Sequence, residues 1–324
     1  MNMDIDWLLS SVPWVRYRTR MDLLDQNHNH PDVIRDREEM INHPMIITLI
    51  QQLKNWPGNI LKRHNDASHP IHILSFLAEI GINKNDPFIT NSCKKIFDHQ
   101  SDEGPFEILL NIPTHFGGSG KDEYMWMLCD APLITYSLIK FSYFQSGEIK
   151  KSLAHLISLN DENGWHCRAS EQLGQKFRGP GRKEDPCPYA NLLMLKLISE
   201  TEDLKECKEA DKGLGSFDNL WKTRMERKPY LFGMGTDFKK LKAPFVWYDI
   251  LHTMDVLSKY PHSIELPSTK EMLNILINKK DNLGRYIPES IYLSWKEWDF
   301  GQKKEPSPWI TFLVYRILKR FQLL

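Results

Sequence analysis

The sequence predicts an all-helical fold built from a repeated two-helix unit, and three observations carry that prediction. First, four segments share one turn pattern: a polar residue, three residues, glycine, one residue, then a ring. The positions are Gln100, Gly104 and Phe106; Asn160, Gly164 and His166; Asp211, Gly215 and Phe217; and Lys280, Gly284 and Tyr286. Second, a proline opens an apolar stretch at Pro70, Pro132, Pro188, Pro244 and Pro308. Proline at the first helical turn costs no hydrogen bond, because that N–H has no intrahelical partner. Third, stretches that are apolar nearly all round, such as PYANLLMLKLIS and PFVWYDILHTMDVLS, alternate with stretches that keep a charged face, such as GEIKKSLAHLISLND. A period of roughly 50–70 residues with two helices per unit means a repeat architecture, either an open solenoid or a closed ring.

The N-terminal segment, residues 1–43, reads as helical but falls outside the repeat. Trp7, Leu8, Val12 and Trp14 have helical spacing, Pro13 opens a new helix, and Arg16, Arg18 and Arg20 lie on its wetter side. Asn-His-Pro breaks flank a short helix of mixed charge, and Pro44 starts another that ends at Trp56, Pro57 and Gly58. Between the repeats, the glycine-rich stretch from His115 to Glu123 lacks the lysine-serine ending of a phosphate loop and reads as a flexible lid or linker.

Composition narrows the function classes. The 42 basic and 42 acidic residues give a formal net charge of +0, which argues against a nucleic-acid binder that works by bulk charge. No apolar run approaches the ~20 residues of a membrane span, and the N-terminus lacks the basic and apolar regions of a signal peptide. Five cysteines, an odd number without disulfide-like spacing, suit a reducing compartment, so a cytoplasmic protein is expected. The aromatic content of 11%, with 10 Trp, suits an apolar cavity and equally an ordinary helical core.

Chemistry concentrates between Phe177 and Asn191. Arg178, Arg182 and Lys183 precede Asp185 and Cys187, and Pro188 then opens an apolar helix. A helix N-terminus favours anions, so a carboxylate and a thiolate on that bend can share a metal ion beside a bound anion. Zinc accepts mixed O, N and S ligands, and His252, one repeat further on, supplies a third candidate. The bland reading of each residue is a capping aspartate, a buried cysteine, a satisfied core histidine and a solvated basic loop. Cys129 and Asp130 hold the matching place one repeat earlier, with Asp130 read first as a helix cap. His69 and His72, and Tyr248 with Asp249, hold the equivalent places in the flanking repeats and are expected at a cavity mouth.

The Gln-x-x-x-Gly-x-aromatic turn, strictest at Gln100, Gly104 and Phe106, resembles the repeat of the squalene cyclase and protein prenyltransferase β-subunit superfamily. The resemblance covers residues 44–324 and implies an α/α toroid, a single domain over residues 1–324 in which inner helices surround an apolar cavity. It further implies a zinc site like that of the prenyltransferase β-subunits, with Asp185 and Cys187 on the family's Asp and Cys and His252, followed by Thr253, on its His. Arg182 matches a diphosphate-contacting position, Arg178 lies one residue from another, and Lys183 adds a third cation. Pro188 departs from the pattern, since the family places Tyr directly after Cys, and Tyr189 comes one residue late. With Trp247 and Tyr248 as further cavity residues, the resemblance implies a prenyltransferase-like enzyme acting on an isoprenoid or other apolar substrate. A second helical subunit is then an expected partner. The alternatives are a metal-free terpene-cyclase-like enzyme, although neither D-x-D-D nor D-D-x-x-D occurs, and a non-catalytic helical-repeat scaffold.

Overall fold

A computed structural model describes residues 3–177, 182 and 184–324. Fourteen α-helices occur among the described residues, with four short strands, so the fold is mostly α. The helices are α1 (Ile5–Leu9), α2 (Pro13–Arg18), α3 (Pro31–Ile41), α4 (Pro44–Gln52), α5 (Pro70–Ile80), α6 (Ile89–Phe97), α7 (Ala131–Leu138), α8 (Gly147–Ser158), α9 (Pro188–Ile198), α10 (Glu202–Lys205), α11 (Lys208–Lys222), α12 (Ile250–Leu257), α13 (Pro267–Ile277) and α14 (Pro308–Arg320). No described helix is long and apolar enough to cross a membrane. The chain divides into two compact units, one of Met1–Ile50 with Gly235–Leu324 and one of Gln51–Met234.

The second unit carries most of the repeat. Helix α7 packs between α5 and α9, and α11 packs on α9. Every residue of α7 and of α9 is buried, whereas α8 and α6 bury one face only, as the alternation in the sequence predicts. Three charged or polar side chains meet inside this apolar layer. The Lys196 ammonium on α9 lies 2.7 Å from Glu79 on α5 and sits over the Tyr136 ring of α7, while the Tyr136 hydroxyl donates to Glu79 at 2.5 Å. Pairing is what makes such burial tolerable.

In the first unit α12 packs on both α13 and α14, and α2 on α3. The arginines expected on the wet side of α2 are drawn into ion pairs. Arg16 and Arg20 reach the fully buried Asp36 at 2.9 and 2.7 Å, and Arg18 pairs with Asp22. Buried Asp255 on α12 accepts from Arg316 at 2.7 Å and Arg320 at 2.9 Å.

Three of the four repeat turns form as the sequence predicts. Gln100 bridges to Phe106, and its side-chain amide donates to the carbonyls of Gly104 at 2.6 Å and Glu148 at 2.8 Å, so it ties the turn to α8. The Gly164 and Gly284 turns likewise close with positive φ. The Gly215 turn does not exist: that glycine lies inside α11. Nothing there requires a bend, and neighbouring Gly213 instead lets α11 approach α9 and the Trp165 turn, since a Cβ on it would sit 3.1 Å from Leu195 of α9 and 2.9 Å from the Trp165 ring. Pro244 also fails to open its helix. It follows a cis peptide bond, and α12 begins at Ile250 under an Asp249 cap that accepts from the His252 N–H.

At Gly104 φ is +124° and a Cβ would stand 2.9 Å from the Lys151 carbonyl oxygen. Gly104→Ala therefore adds backbone strain to a clash with main chain. We expect it to lower stability by about 1–3 kcal/mol in urea unfolding.

Candidate functional site

A cavity of about 540 Å³ opens in the second unit. Its apolar walls include Ile60, Leu61, Leu110, Ile112, Phe116 and Met127, and its reactive side chains are His64, Cys129, Cys167 and Cys187. The glycine-rich stretch read as a lid or linker is instead the end of a hairpin, strands β1 (Ile108–Asn111) and β2 (Asp122–Met125), and it contributes Phe116 to the cavity wall.

Four local structures bring the reactive groups together. Cys187 is the residue before α9, and its N–H donates to the Trp165 carbonyl at 2.9 Å. Asn191, one turn into α9, accepts from the Trp165 N–H at 3.0 Å and donates to the carbonyls of Trp165 and Cys187 at 2.7 and 2.8 Å. One amide thus fixes the Gly164–Trp165 turn against the start of α9. Cys129 and Asp130 precede α7, beside an antiparallel bridge between Met127 and Ala169. The Leu128 N–H donates to the Arg168 carbonyl and the Ser170 N–H to the Trp126 carbonyl, both at 3.0 Å. The chain then turns over Leu128–Asp130, and the Cys129 thiol meets the thiols of Cys167 and Cys187.

His64 comes from the stretch between α4 and α5. Leu61 bridges to Leu110 there, and two histidines, one just before α5 and one in it, hold the segment by its carbonyls: His69 Nε2 lies 2.9 Å from the Asn59 oxygen and His72 Nε2 lies 2.8 Å from the His64 oxygen. Both rings donate at Nε2, because a carbonyl only accepts. His69 also caps α5, accepting from the Ile71 N–H. The expectation that these two line the cavity mouth is thus replaced by a positioning role behind it.

The Asp130 side chain makes no cap bond to α7, against the sequence expectation. It turns to His64 instead, Oδ1 to Nδ1 at 2.9 Å, and its second oxygen has no hydrogen-bond partner among the described residues. Burial pushes His64 down, but the charge and hydrogen bond of Asp130, helped by Cys187, outweigh it, so the imidazole is held above its ordinary value. The Cys187 thiol is held below its ordinary range. The Cys129 S–H contributes most, burial opposes it, and the N–H groups of Ala190 and Tyr189 with the His64 charge complete the effect. Cys129 shifts the other way, raised by its bonds to Cys167 and Cys187 and by burial.

No protein-family model matches the chain, and no curated protein matches it. The arrangement therefore stands on its geometry: a cysteine at a helix N-terminus, its thiol held below the ordinary range, and an imidazole oriented by a buried carboxylate.

The expected zinc ligands are divided between the units, Asp185 and Cys187 in the second and His252 in the first. Buried Asp185 pairs with Arg227. His252 belongs to the first unit, where Nδ1 lies 2.9 Å from the Trp247 carbonyl and the ring stacks on Phe245 at 4.6 Å. Among the described residues no group of three or more His, Cys, Asp or Glu side chains is placed to hold a metal ion. No step below is routed through a metal ion. Arg182 is exposed, Tyr189 is fully buried within α9, and Trp247 and Tyr248 lie in the first unit. Arg178 and Lys183 lie outside the described residues. His64 and Cys167 carry no motif in the sequence, since their partners are far away along the chain.

The His72 ring is pushed down to about 4, chiefly by burial. The native state then binds fewer protons than the unfolded chain between about pH 4 and 6.5. Stability is fully present above about pH 6.5 and falls as pH drops toward 4, by up to about 3 kcal/mol from this one group. Urea unfolding at stepped pH reads the loss, and His72→Gln is expected to flatten it.

Proposed function

We propose that this chain is an enzyme that transfers an apolar acyl group through the Cys187 sulfur. The observation that carries the reading is the sharing of one apolar cavity by Cys187, at the start of α9, and the His64–Asp130 pair. The thiolate attacks the carbonyl carbon of an ester or thioester, and the leaving group takes a proton from the His64 imidazolium. Asp130 keeps Nδ1 occupied so that Nε2 is the atom that gives and takes the proton. The acyl chain rests against Leu61, Leu110, Ile112 and Met127 while water or an acceptor alcohol, activated by His64, releases it.

The test is a series of p-nitrophenyl esters of increasing chain length. A burst of nitrophenolate is expected, with the acyl mass on the peptide that carries Cys187 and none in Cys187→Ser. No acyl adduct at Cys187 with any ester of the series would overturn the reading.

The prenyltransferase-like reading keeps one observation in its favour, an apolar cavity beside a thiolate and an exposed Arg182 that can meet a diphosphate. It further needs zinc, and metal analysis of the purified protein beside Cys187→Ala decides it: zinc well below stoichiometric removes it. The finer fold we propose is the α/α toroid, supported by the alternation of wholly buried helices with helices that bury one face.

A further inference from the structure

The acyl-transfer reading uses one of the three thiols in the cavity and leaves Cys129 and Cys167 without a task. We propose that the three form a relay that lifts oxidation off the Cys187 sulfur and deposits it as a Cys129–Cys167 disulfide. This does not rest on the acyl-transfer reading, because it concerns what a hydroperoxide does to the same cavity.

Placement carries the proposal. All three sulfurs border one cavity, while the two remaining cysteines, Cys93 and Cys207, do not. The bridge between Met127 and Ala169 holds together the stretches that carry Cys129 and Cys167, and the bond from the Cys187 N–H to the Trp165 carbonyl brings the third thiol alongside. Cys129 is the middle member, hydrogen-bonded to Cys167 on one side and to Cys187 on the other. A thiol in contact with two others can receive a disulfide from one and pass it to the other.

The chemistry runs in three balanced steps. In the first, the Cys187 thiolate attacks a hydroperoxide: an S–O bond forms, the O–O bond breaks, and the alcohol leaves with a proton from the His64 imidazolium. Sulfur loses two electrons and Cys187 becomes a sulfenic acid. In the second, the Cys129 sulfur attacks that of Cys187, an S–S bond forms, and the hydroxyl leaves as water with the Cys129 proton. In the third, Cys167 gives its proton to solvent and attacks the Cys129 sulfur. The Cys129–Cys187 bond breaks, and Cys187 departs as thiolate. Exchange favours the more acidic thiol as leaving group, and Cys187 is the thiol whose sulfur accepts N–H bonds at a helix N-terminus. The net change is two thiols and a hydroperoxide to one disulfide, an alcohol and water, with Cys187 restored.

The test treats the full chain with one equivalent of tert-butyl hydroperoxide, blocks free thiols with iodoacetamide and maps the linkages by mass spectrometry. The expected product in the natural sequence is a Cys129–Cys167 disulfide, about 2 Da below the reduced mass, with Cys187 alkylated. Cys167→Ser is expected to stop at Cys129–Cys187, and Cys129→Ser to leave a sulfenic acid at Cys187 that dimedone captures. If Cys187 advances to sulfinic or sulfonic acid while Cys129 and Cys167 stay reduced, or if the only bond found is Cys129–Cys187, the relay is wrong. The map of the natural sequence decides this even if a serine variant does not fold. The linkages are read whether or not any ester is turned over.

Discussion

Glu79→Leu is expected to destabilise the chain by about 3–5 kcal/mol, among the largest effects of any single substitution. The cause is the partner left behind. Lys196 is fully buried on α9 and its ammonium lies 2.7 Å from Glu79. Without that carboxylate the lysine either keeps an uncompensated charge in an apolar layer or gives up its proton. Deprotonating an ordinary lysine at pH 7 costs about 4–5 kcal/mol, which bounds the loss from the second route. The Tyr136 ring under the ammonium recovers part of this, since a desolvated cation–π contact contributes about 2 kcal/mol. The double substitution Glu79→Leu with Lys196→Met removes both charges and is expected to recover most of the stability. Urea unfolding of the natural sequence, both single variants and the double variant reads the coupling. Additive losses would mean that the two charges do not depend on each other.

The second large effect is on reactivity. His64→Ala is expected to lower acyl transfer by about 10²–10⁴-fold, the usual contribution of a positioned acid–base group. Alkylation of Cys187 by iodoacetamide gives a readout that needs no substrate. In the natural sequence the Cys187 thiol lies below its ordinary range, so alkylation persists to a lower pH than for a free cysteine. Removing His64 takes away a charge that favours the thiolate, and the midpoint of the alkylation profile then moves up. Asp130→Asn acts one step removed. It deprives His64 of the charge that raises it, so the imidazole loses its proton at lower pH and the Cys187 midpoint again rises. An unchanged profile in both variants would show that the pair does not act on the thiol. Lost packing alone would shift stability without moving the midpoint.

Much of the helical layer was legible because burial writes itself into the sequence as periodicity. Helices α7 and α9 are buried on every side and read as apolar throughout; α8 buries one face and keeps its charges. The failures have physical causes too. Gly215 matched a turn pattern, but no neighbouring residue stops α11, and glycine there serves close packing by Gly213 instead. Pro244 matched a helix start, but a capping side chain sets the first turn, and Asp249 supplies it downstream of the proline. At the site, Cys187 was legible from its place before a proline-started helix, and Cys129 with Asp130 from the same place one repeat earlier. His64 and Cys167 were not. Their roles are made by contacts between distant segments: the carbonyl bonds from His69 and His72, and the bridge between Met127 and Ala169. The pairing of Asp185 with Arg227 was not legible either, because the two lie far apart along the chain.

That short bridge also sets what kinds of genetic change the site can absorb. The N–H groups of Asp130 and Ala131 both donate to the Met127 carbonyl, so a tight turn fixes where Cys129 leaves the bridge, and inserting or deleting one residue between Met127 and Cys129, or between Cys167 and Ala169, moves a thiol off its partner. Substitutions at Leu128 or Arg168 leave the count intact and with it the meeting of the sulfurs. The cavity is therefore forgiving of changes in side chain and intolerant of changes in length along these two stretches. Its lineage would be expected to vary in residues there long before it varied in spacing.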